Sequence, residues 1–473
     1  MKKLIKLSMA ASLATMTLCA GDTKADMQSQ IDALTKKVEK LESKQQRNTK
    51  KISQVNMLAN NDNIKFDIDF RTAYDYIEAK AKNKTSKNDG LYSMRLWLGM
   101  GYAPTDDMMF KGQLAFNKAF GASYGQRGMD QHFDSFDWIV NENLTDDTVR
   151  VREAYWFWSP TALGRDWTLS MGRRPATNGF LVNLREDDKA KSPIGHIINM
   201  EFDGISGSMK TDDLIEGSYL KVCLGRGLSN ADARFNMTNA DYTVDYDNGK
   251  LKNMDLLGVI AKLYDDGQYT AFAKYYRAYN VLGMKDVNGD HAYDSGDKMQ
   301  SFGEMDGAAI SLQVSGIGDE ISDFLDDTIV FASYAWSNTR PDDGKAMLGS
   351  LENKAGDSIY VGTQMPNFTG GKFGLEYNHG SKYWRPFTYG EDTMVGSKLA
   401  VRGNAYEAYW TQPIIEKNGK KIFSMQIRYT YLDYDYTGSQ AFMGDFGTPV
   451  KVEDNPNAIS TAQDLRVYFR YRY

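Results

Sequence analysis

The last ten residues, DLRVYFRYRY at positions 464–473, alternate between two kinds of side chain. One series is apolar or aromatic and consists of Leu465, Val467, Phe469, Tyr471 and Tyr473. The other series is mostly polar and consists of Asp464, Arg466, Tyr468, Arg470 and Arg472. Because successive side chains of an extended chain point to opposite faces, this period of two predicts a β-strand with one apolar and one polar face.

The same alternation recurs from residue 64 onward. It predicts about sixteen strands, which begin near residues 64, 91, 108, 149, 167, 198, 217, 254, 268, 303, 328, 357, 371, 396, 422 and 463. The composition agrees, because 42 Gly against 10 Pro, with 29 Tyr and 22 Phe, favours strands and tight turns over helices. In residues 149–158 neither phase is purely apolar, and we predict a β-bulge there.

Two architectures accommodate such strands: a soluble sandwich with its apolar face inward, and a transmembrane barrel with its apolar face toward lipid. Strands of about 10 to 13 residues match a tilted membrane span better than a sandwich. Aromatic residues such as Tyr74, Tyr102 and Trp410 lie at strand ends, as interfacial girdles do, and Tyr473 continues the outward series. We therefore predict an all-β fold, a transmembrane antiparallel β-barrel of about 16 strands over residues 64–473, with a water-filled lumen.

Composition and charge exclude several other classes. Beyond the N-terminus there is no run of 18 apolar residues, which excludes a helical membrane bundle. The formal net charge of −6, without a basic block, argues against a nucleic-acid partner. Aromatic residues make up 12% of the chain, which excludes intrinsic disorder as its main state.

The first twenty residues predict export. A basic start and an apolar stretch over 7–20 are typical of a signal peptide, here residues 1–20. A lipoprotein anchor at Cys19 is the alternative, but Leu18 stands where a small side chain is needed. Cleavage leaves Cys223 as the only cysteine, so the mature chain cannot form an internal disulfide.

Residues 26–58 predict a short periplasmic coiled-coil helix before the barrel. Apolar and two polar residues recur there at alternating spacings of three and four: Ile31, Leu34, Val38, Leu41, Gln45, Asn48, Ile52 and Val55. We expect a homo-oligomer, with a trimer favoured, and a contact with peptidoglycan. A single amphipathic helix packed on the body is the alternative.

Three motifs carry a resemblance to a known family: VREAYW at 151–156, MGRRP at 171–175 followed by TNG at 177–179, and GLEYNHGSKYW at 374–384. They resemble an uncharacterised porin-like outer-membrane family of epsilon-class proteobacteria, a domain of unknown function with a coiled coil and a β-barrel. The Gly-Arg-x-Pro step is also similar to that of phosphate-type porins. The resemblance implies an exported barrel in the outer membrane of a Gram-negative bacterium, and says less about a substrate.

Charged residues on the polar phase of the strands are candidates for the pore wall. They are Arg71, Arg95, Arg402, Arg428, Arg466, Arg470 and Arg472, with Asp67 and Asp69. Rows of opposite sign would set up a transverse field in a channel. A loop folded inward could narrow it; the candidate residues are Arg173, Arg174, Arg185, Glu186, Asp187, Asp188 and Lys189. An external loop of mixed charge is an equal alternative.

An acidic stretch predicts a calcium loop. Its donors fall at the spacing of an EF-hand-type loop: Asp286, Asn288, Asp290, Asp294 and Asp297, with the carbonyl of Ala292. His291 replaces the turn glycine, and Asp297 is shorter than the usual glutamate. We expect at most a structural Ca²⁺ and no required cofactor; a solvated acidic loop is the alternative.

His379 and Ser381 share one phase of a strand, which we expect to face lipid. Outer-membrane lipid hydrolases use a similar pair, with histidine activating the serine hydroxyl. Asn404 or Glu407 would be the orienting third group. Hydrogen bonding near the barrel rim is the alternative interpretation.

These patterns together predict a passive diffusion porin for small hydrophilic solutes or ions, embedded in the outer-membrane bilayer and without catalytic activity. A lipid hydrolase is the alternative from another class, and a structural or adhesin barrel is the third.

Overall fold

The computed structural model describes residues 64–120, 149–174, 176–228, 252–289, 297–318, 321–388, 393–441 and 443–473. The predicted signal peptide (1–20) and coiled coil (26–58) lie outside the described residues and stay predictions.

The described residues form a closed antiparallel barrel of sixteen long strands, which confirms the predicted fold class. The strands are β1 (Lys65–Ala81), β2 (Lys84–Tyr102), β3 (Met108–Ala119), β4 (Arg150–Trp158), β5 (Arg165–Arg174), β6 (Phe202–Lys210), β7 (Tyr219–Leu228), β8 (Met254–Asp265), β9 (Tyr269–Lys285), β10 (Lys298–Ser315), β11 (Ile329–Pro341), β12 (Ala355–Pro366), β13 (Lys372–Gly380), β14 (Gly403–Lys417), β15 (Lys420–Tyr434) and β16 (Ile459–Arg472). The strand predicted near residue 396 begins instead at Gly403.

Pairing between the first and last strands closes the barrel. Arg71 lies opposite Arg470 in the β1–β16 register, and Ile68 and Tyr473 exchange two backbone hydrogen bonds of 3.0 and 2.9 Å. Closure satisfies the backbone donors and acceptors that an open edge would leave without partners in hydrocarbon.

The apolar phase of the strands points outward. Phe469 and Ile427 are each 41% exposed, whereas their neighbours on the polar phase, Arg470 and Arg428, are almost fully buried. An apolar outer face and a polar inner face are what lipid on one side and the lumen on the other require.

The predicted bulge in β4 is confirmed. Gln113 pairs with Glu153 and the next residue, Leu114, pairs with Val151, so Arg152 is the extra residue. The bulge shifts the alternation by one residue, which is why neither phase of this segment is purely apolar.

Most connections are short at one end of the barrel, such as 266–268 and 418–419, and long at the other. The described α-helices are the four-residue Asn183–Glu186 and Asp323–Asp326. Among the described residues, no helix is long and apolar enough to cross a membrane.

The outward apolar face can be tested by substitution at Ile427. Ile427→Arg places a charge on the middle of the outer face and is expected to lower the free energy of unfolding by about 2–4 kcal/mol. The measurement is guanidinium titration of protein folded into phosphatidylcholine vesicles. Glu416→Arg, an exposed site near the end of β14, is the control and should change it by less than about 1 kcal/mol. Equal effects of the two substitutions on the free energy of unfolding would contradict the assignment of Ile427 to the lipid-facing side of the barrel.

Candidate functional site in the barrel lumen

Residues 176–201, which connect β5 to β6, fold into the barrel; we call them the inward segment. Its apolar side chains are buried among inward-facing residues of β8 to β12. Phe180, for example, packs on Phe272 with ring centroids 4.5 Å apart. The expectation of a water-filled lumen is therefore wrong for this side of the barrel, because the inward segment supplies a packed apolar core that strand periodicity cannot show.

Hydrogen bonds tie the backbone of the inward segment to the opposite wall. The carbonyl of Leu184 accepts from Gln364 Nε2 at 2.8 Å, and the carbonyl of Arg185 accepts from Gln426 Nε2 at 2.8 Å. These carbonyls belong to the helix Asn183–Glu186, and that of Leu184 also accepts from the N–H of Asp187 at 3.1 Å. The wall amides thus hold the segment across the lumen.

A second connection, described over residues 381–388 and 393–402, packs on the inward segment. The Phe387 N–H donates to the Ile197 carbonyl at 3.0 Å, and the Asn199 N–H donates to the Phe387 carbonyl at 2.7 Å. Trp384 of this connection is fully buried and donates its indole N–H to the Leu399 carbonyl at 2.7 Å. The two connections therefore form one packed unit inside the barrel.

Glu407 on β14 is the centre of a buried charge network. Its carboxylate accepts from Arg185 Nη1 at 3.2 Å, from Lys398 Nζ at 2.5 Å and from Thr430 Oγ1 at 2.8 Å. Lys398 also pairs with Glu376. Because these charges have lost their water, each depends on its partner far more than a surface ion pair would.

The three residues that follow Arg185 in the inward segment are Glu186, Asp187 and Asp188, and we call them the acidic tip. The acidic tip faces a set of cations that we call the basic row: Lys372, Lys421, Arg428, Arg470 and Arg472. Glu186 Oε1 accepts from Arg428 at 3.1 Å, and Asp188 accepts from Arg470 at 3.2 Å. Opposite charges thus meet across the lumen.

Asp187 holds the outermost contacts of the acidic tip. Its two carboxylate oxygens accept from Lys372 at 2.7 Å and from Lys421. Burial raises the pKa of Asp187, but the two ammonium groups outweigh it and leave the pKa below the ordinary value of 3.8. The carboxylate is therefore charged at neutral pH.

The predicted wall arginines on the strands point inward, but not into open water. Arg71, Arg95, Arg428, Arg466 and Arg470 are at most 3% exposed. Arg466 pairs with Asp75 at 2.5 Å, and Arg470 Nε pairs with Asp69 at 2.9 Å. The expectation that these arginines line a water-filled wall is therefore corrected. Most of them form contacts with other groups inside the lumen. Arg472 keeps 27% of its side chain exposed.

Two other predicted wall residues have different surroundings. Asp67 is exposed near the start of β1. Arg402 precedes β14 and binds backbone carbonyls of the connections, Trp384 at 3.0 Å and Gly447 at 2.7 Å. Arg402 is therefore a tie between connections rather than a wall residue, because the strand starts one residue after it.

The constriction candidates divide in the same way. Arg185 and the acidic tip lie inside the barrel, whereas Lys189 is exposed. Arg173 lies on the outward phase of β5 and pairs with the exposed Asp203 at 3.2 Å, so it does not belong to the lumen. Arg174 points inward and donates to Ser206 Oγ.

The predicted calcium loop lies partly outside the described residues, which omit Asp290, Ala292 and Asp294. At its start, Asp286 Oδ1 accepts from the Gly289 N–H at 2.6 Å, and Asp297 Oδ1 accepts from the Val287 N–H at 3.3 Å. Asn288 is exposed. Within the described ranges, no group of three or more His, Cys, Asp or Glu is arranged to hold a metal ion. The calcium site stays a prediction.

His379 and Ser381 are not joined by a hydrogen bond in the described part of the chain. His379 Nδ1 contacts Asn404 Oδ1 at 3.1 Å, whereas Ser381 Oγ accepts from the Asp357 N–H at 2.8 Å. Glu407 lies on the inner face of the barrel and cannot orient His379, so that candidate is wrong.

Two members of the charge network, Glu376 and Lys398, were not predicted from the sequence. Glu376 had a usable signal, since it alternates with the outward Phe373, Leu375 and Tyr377 and must point inward. Lys398 had none, because it lies in a connection whose path is set by contacts distant in sequence.

The chain matches one protein family, and its fold is similar to several solved structures. A family model described as "Protein of unknown function (DUF3373)" matches residues 85–473. The fold is similar to OmpT, an outer membrane protein of Vibrio cholerae (TM-score 0.45, 13% identity, covering 87% of this chain and 97% of that one). It is also similar to OprB of Pseudomonas putida (TM-score 0.45, 11% identity, covering 88% of this chain and 95% of that one). A third similar structure is Salmonella typhi OmpF in complex with daunomycin (TM-score 0.44, 11% identity, covering 86% of this chain and 97% of that one). No curated protein matches the sequence.

Proposed function

Because the chain belongs to the DUF3373 family, whose description assigns no activity, we propose its function from the lumen of its barrel. We propose that it is an outer-membrane porin that passes small hydrophilic solutes or ions through a lumen narrowed by the inward segment. The predicted signal peptide and the apolar outer face support the outer membrane of a Gram-negative bacterium as its location.

One observation carries this proposal: the inward segment crosses the lumen and sets the acidic tip against the basic row. A packed core on one side of the barrel and a charged boundary at the tip leave a reduced cross-section. Opposed charges across a narrow opening create a transverse field, which discriminates solutes by charge and dipole. Lys372 is the most exposed member of the basic row, with 37% of its side chain exposed, and Lys421 and Arg472 also stay partly exposed, so these three are best placed to meet a solute.

Self-association through residues 26–58, with a trimer favoured, is part of the proposal, as is contact of that segment with peptidoglycan. We also propose a structural Ca²⁺ bound at residues 286–297.

Conductance of purified protein in a planar lipid bilayer tests the proposed function. We expect stepwise openings, unchanged by Ser381→Ala. Folded, inserted protein that never conducts would contradict a porin. Ester hydrolysis that Ser381→Ala abolishes would instead support the lipid hydrolase.

Charge selectivity gives a more specific test at the acidic tip. Asp187→Asn removes a full negative charge and leaves Lys372 and Lys421 without their carboxylate. We expect the ratio of anion to cation permeability to rise by a factor of about 2 to 10, measured as the reversal potential in a KCl gradient. Asp203→Asn, which removes an exposed carboxylate on the outer phase, is the matched control. A reversal potential equal to that of the control would remove the acidic tip from the permeation path.

A further inference from the structure

A small cavity lies between the inward segment and the inner face of β5 to β9, on the side of the lumen away from the acidic tip. Its volume is about 70 Å³. The polar groups of its lining come from six residues: Arg174, Ser192, Ser206, Lys221, Cys223 and Lys274. Three of the six are cations, and none is a carboxylate.

Strand register places the two lysines in one row on the inner face, with one strand between them. Lys221 on β7 lies opposite Ile260 on β8, and Ile260 lies opposite Lys274 on β9. The two lysines are therefore two strands apart in one row, about 10 Å between Cα atoms. Arg174, at the end of β5, borders the same cavity.

The contacts of these cations are all with neutral groups. Lys221 Nζ donates to Ser192 Oγ at 2.7 Å, and Arg174 donates to Ser206 Oγ and to the Ser170 carbonyl. Lys274 is only 6% exposed, and no acceptor among the described residues contacts its ammonium group. Within the described ranges, no carboxylate pairs with any of the three.

Another buried lysine in the lumen, Lys398, has carboxylate partners. Lys398 is as buried as Lys274, and it pairs with two carboxylates, Glu376 and Glu407. A buried cation without such a partner is costly, and three converging cations repel one another in addition. A bound anion would remove both costs.

We infer that this cavity is a binding site for a small multivalent oxyanion of the phosphate or sulfate class. The Arg174 guanidinium supplies a planar donor pair, the two ammonium groups supply point charges, and the serine hydroxyls add neutral donors. A cavity of about 70 Å³ has room for such an anion. The site lies in the lumen wall, so its occupancy would add a selective anion step to the porin.

Isothermal titration of detergent-purified protein with inorganic phosphate tests the inference. We expect binding that Lys274→Met weakens by about tenfold to a hundredfold, the usual weight of a charge-assisted contact. Lys221→Met is the second variant, expected to act in the same direction. Lys210→Met is the matched control, because Lys210 lies at the barrel rim and pairs with Asp166.

The outcomes separate this site from the porin proposal. Titration reads binding without any need for conduction, so a protein that binds phosphate but never conducts would contradict only the porin. Sulfate that competes with phosphate, with chloride competing much more weakly, would support the oxyanion class. No binding of phosphate or sulfate by the folded wild-type protein, or equal binding by wild type and Lys274→Met, would overturn the inference.

Discussion

Glu407→Gln is expected to release the inward segment from the barrel wall, with a loss of about 3–5 kcal/mol in the free energy that holds it. The amide keeps the size of the side chain but cannot neutralise Arg185, which is 1% exposed and has Glu407 as its partner on the wall. Lys398 keeps Glu376 and Arg185 keeps Glu186 at 3.0 Å, so the substitution removes the carboxylate that joins Arg185 of the inward segment to the barrel wall. Release should widen the lumen, and we expect larger single-channel conductance together with tryptic cleavage after residues 185–191 in proteoliposomes.

Glu416→Gln is the matched control for this experiment. Glu416 lies on the same strand as Glu407 but is exposed, and its replacement should change neither conductance nor cleavage. A Glu407→Gln protein with wild-type conductance and an inward segment still resistant to trypsin would show that the apolar core alone holds the segment.

Acidification is expected to loosen the inward segment through His196. The imidazole is fully buried, with Nδ1 2.8 Å from Ser333 Oγ and Nε2 2.9 Å from Ser358 Oγ. Since Ser358 Oγ donates its proton to Asn378 Oδ1, the Nε2–H donates to Ser358 and Nδ1 accepts from Ser333. A second proton on Nδ1 would remove that acceptor and place a charge between the rings of Tyr360 and Trp384.

The direction of the pH effect follows from the pKa of His196. Burial lowers this pKa from 6.5 to about 3, so the docked segment excludes a proton that the released segment binds. The contribution of His196 is complete above pH 6.5 and is lost as the pH falls from 6.5 toward 3. At pH 4.5, two units below 6.5, the loss is about 3 kcal/mol.

The measurement is conductance and tryptic cleavage as functions of pH between 7.5 and 4.5. Because carboxylates also titrate in this range, the informative quantity is the difference between wild type and His196→Asn, whose profile should be flatter. His379→Asn, on the outer phase of β13, is the control and should retain the wild-type profile. Identical profiles for wild type and His196→Asn would exclude His196 as the sensor.

The candidate site was predictable from sequence only in part. Arg470 and Glu376 could be assigned to the inner face, since each alternates with outward apolar residues along one strand. The partners of those side chains could not, because they lie far away in sequence. Arg185 and Glu407 are separated by 222 positions, and Arg470 and Glu186 by 284. Local periodicity carries no information about such pairs.

Sequence alone predicted the barrel, a strand number of about sixteen and the face on which most strands carry apolar residues. The reason is that a period of two is a property of the extended backbone itself, and lipid requires every apolar phase to point the same way. Only the tertiary structure decided how the lumen is filled. It set the path of the inward segment, the pairing of its acidic tip, and the grouping of Arg174, Lys221 and Lys274 around a cavity in which no described carboxylate pairs with them. Those features depend on which distant groups meet once the barrel closes, and buried charge makes each meeting energetically decisive.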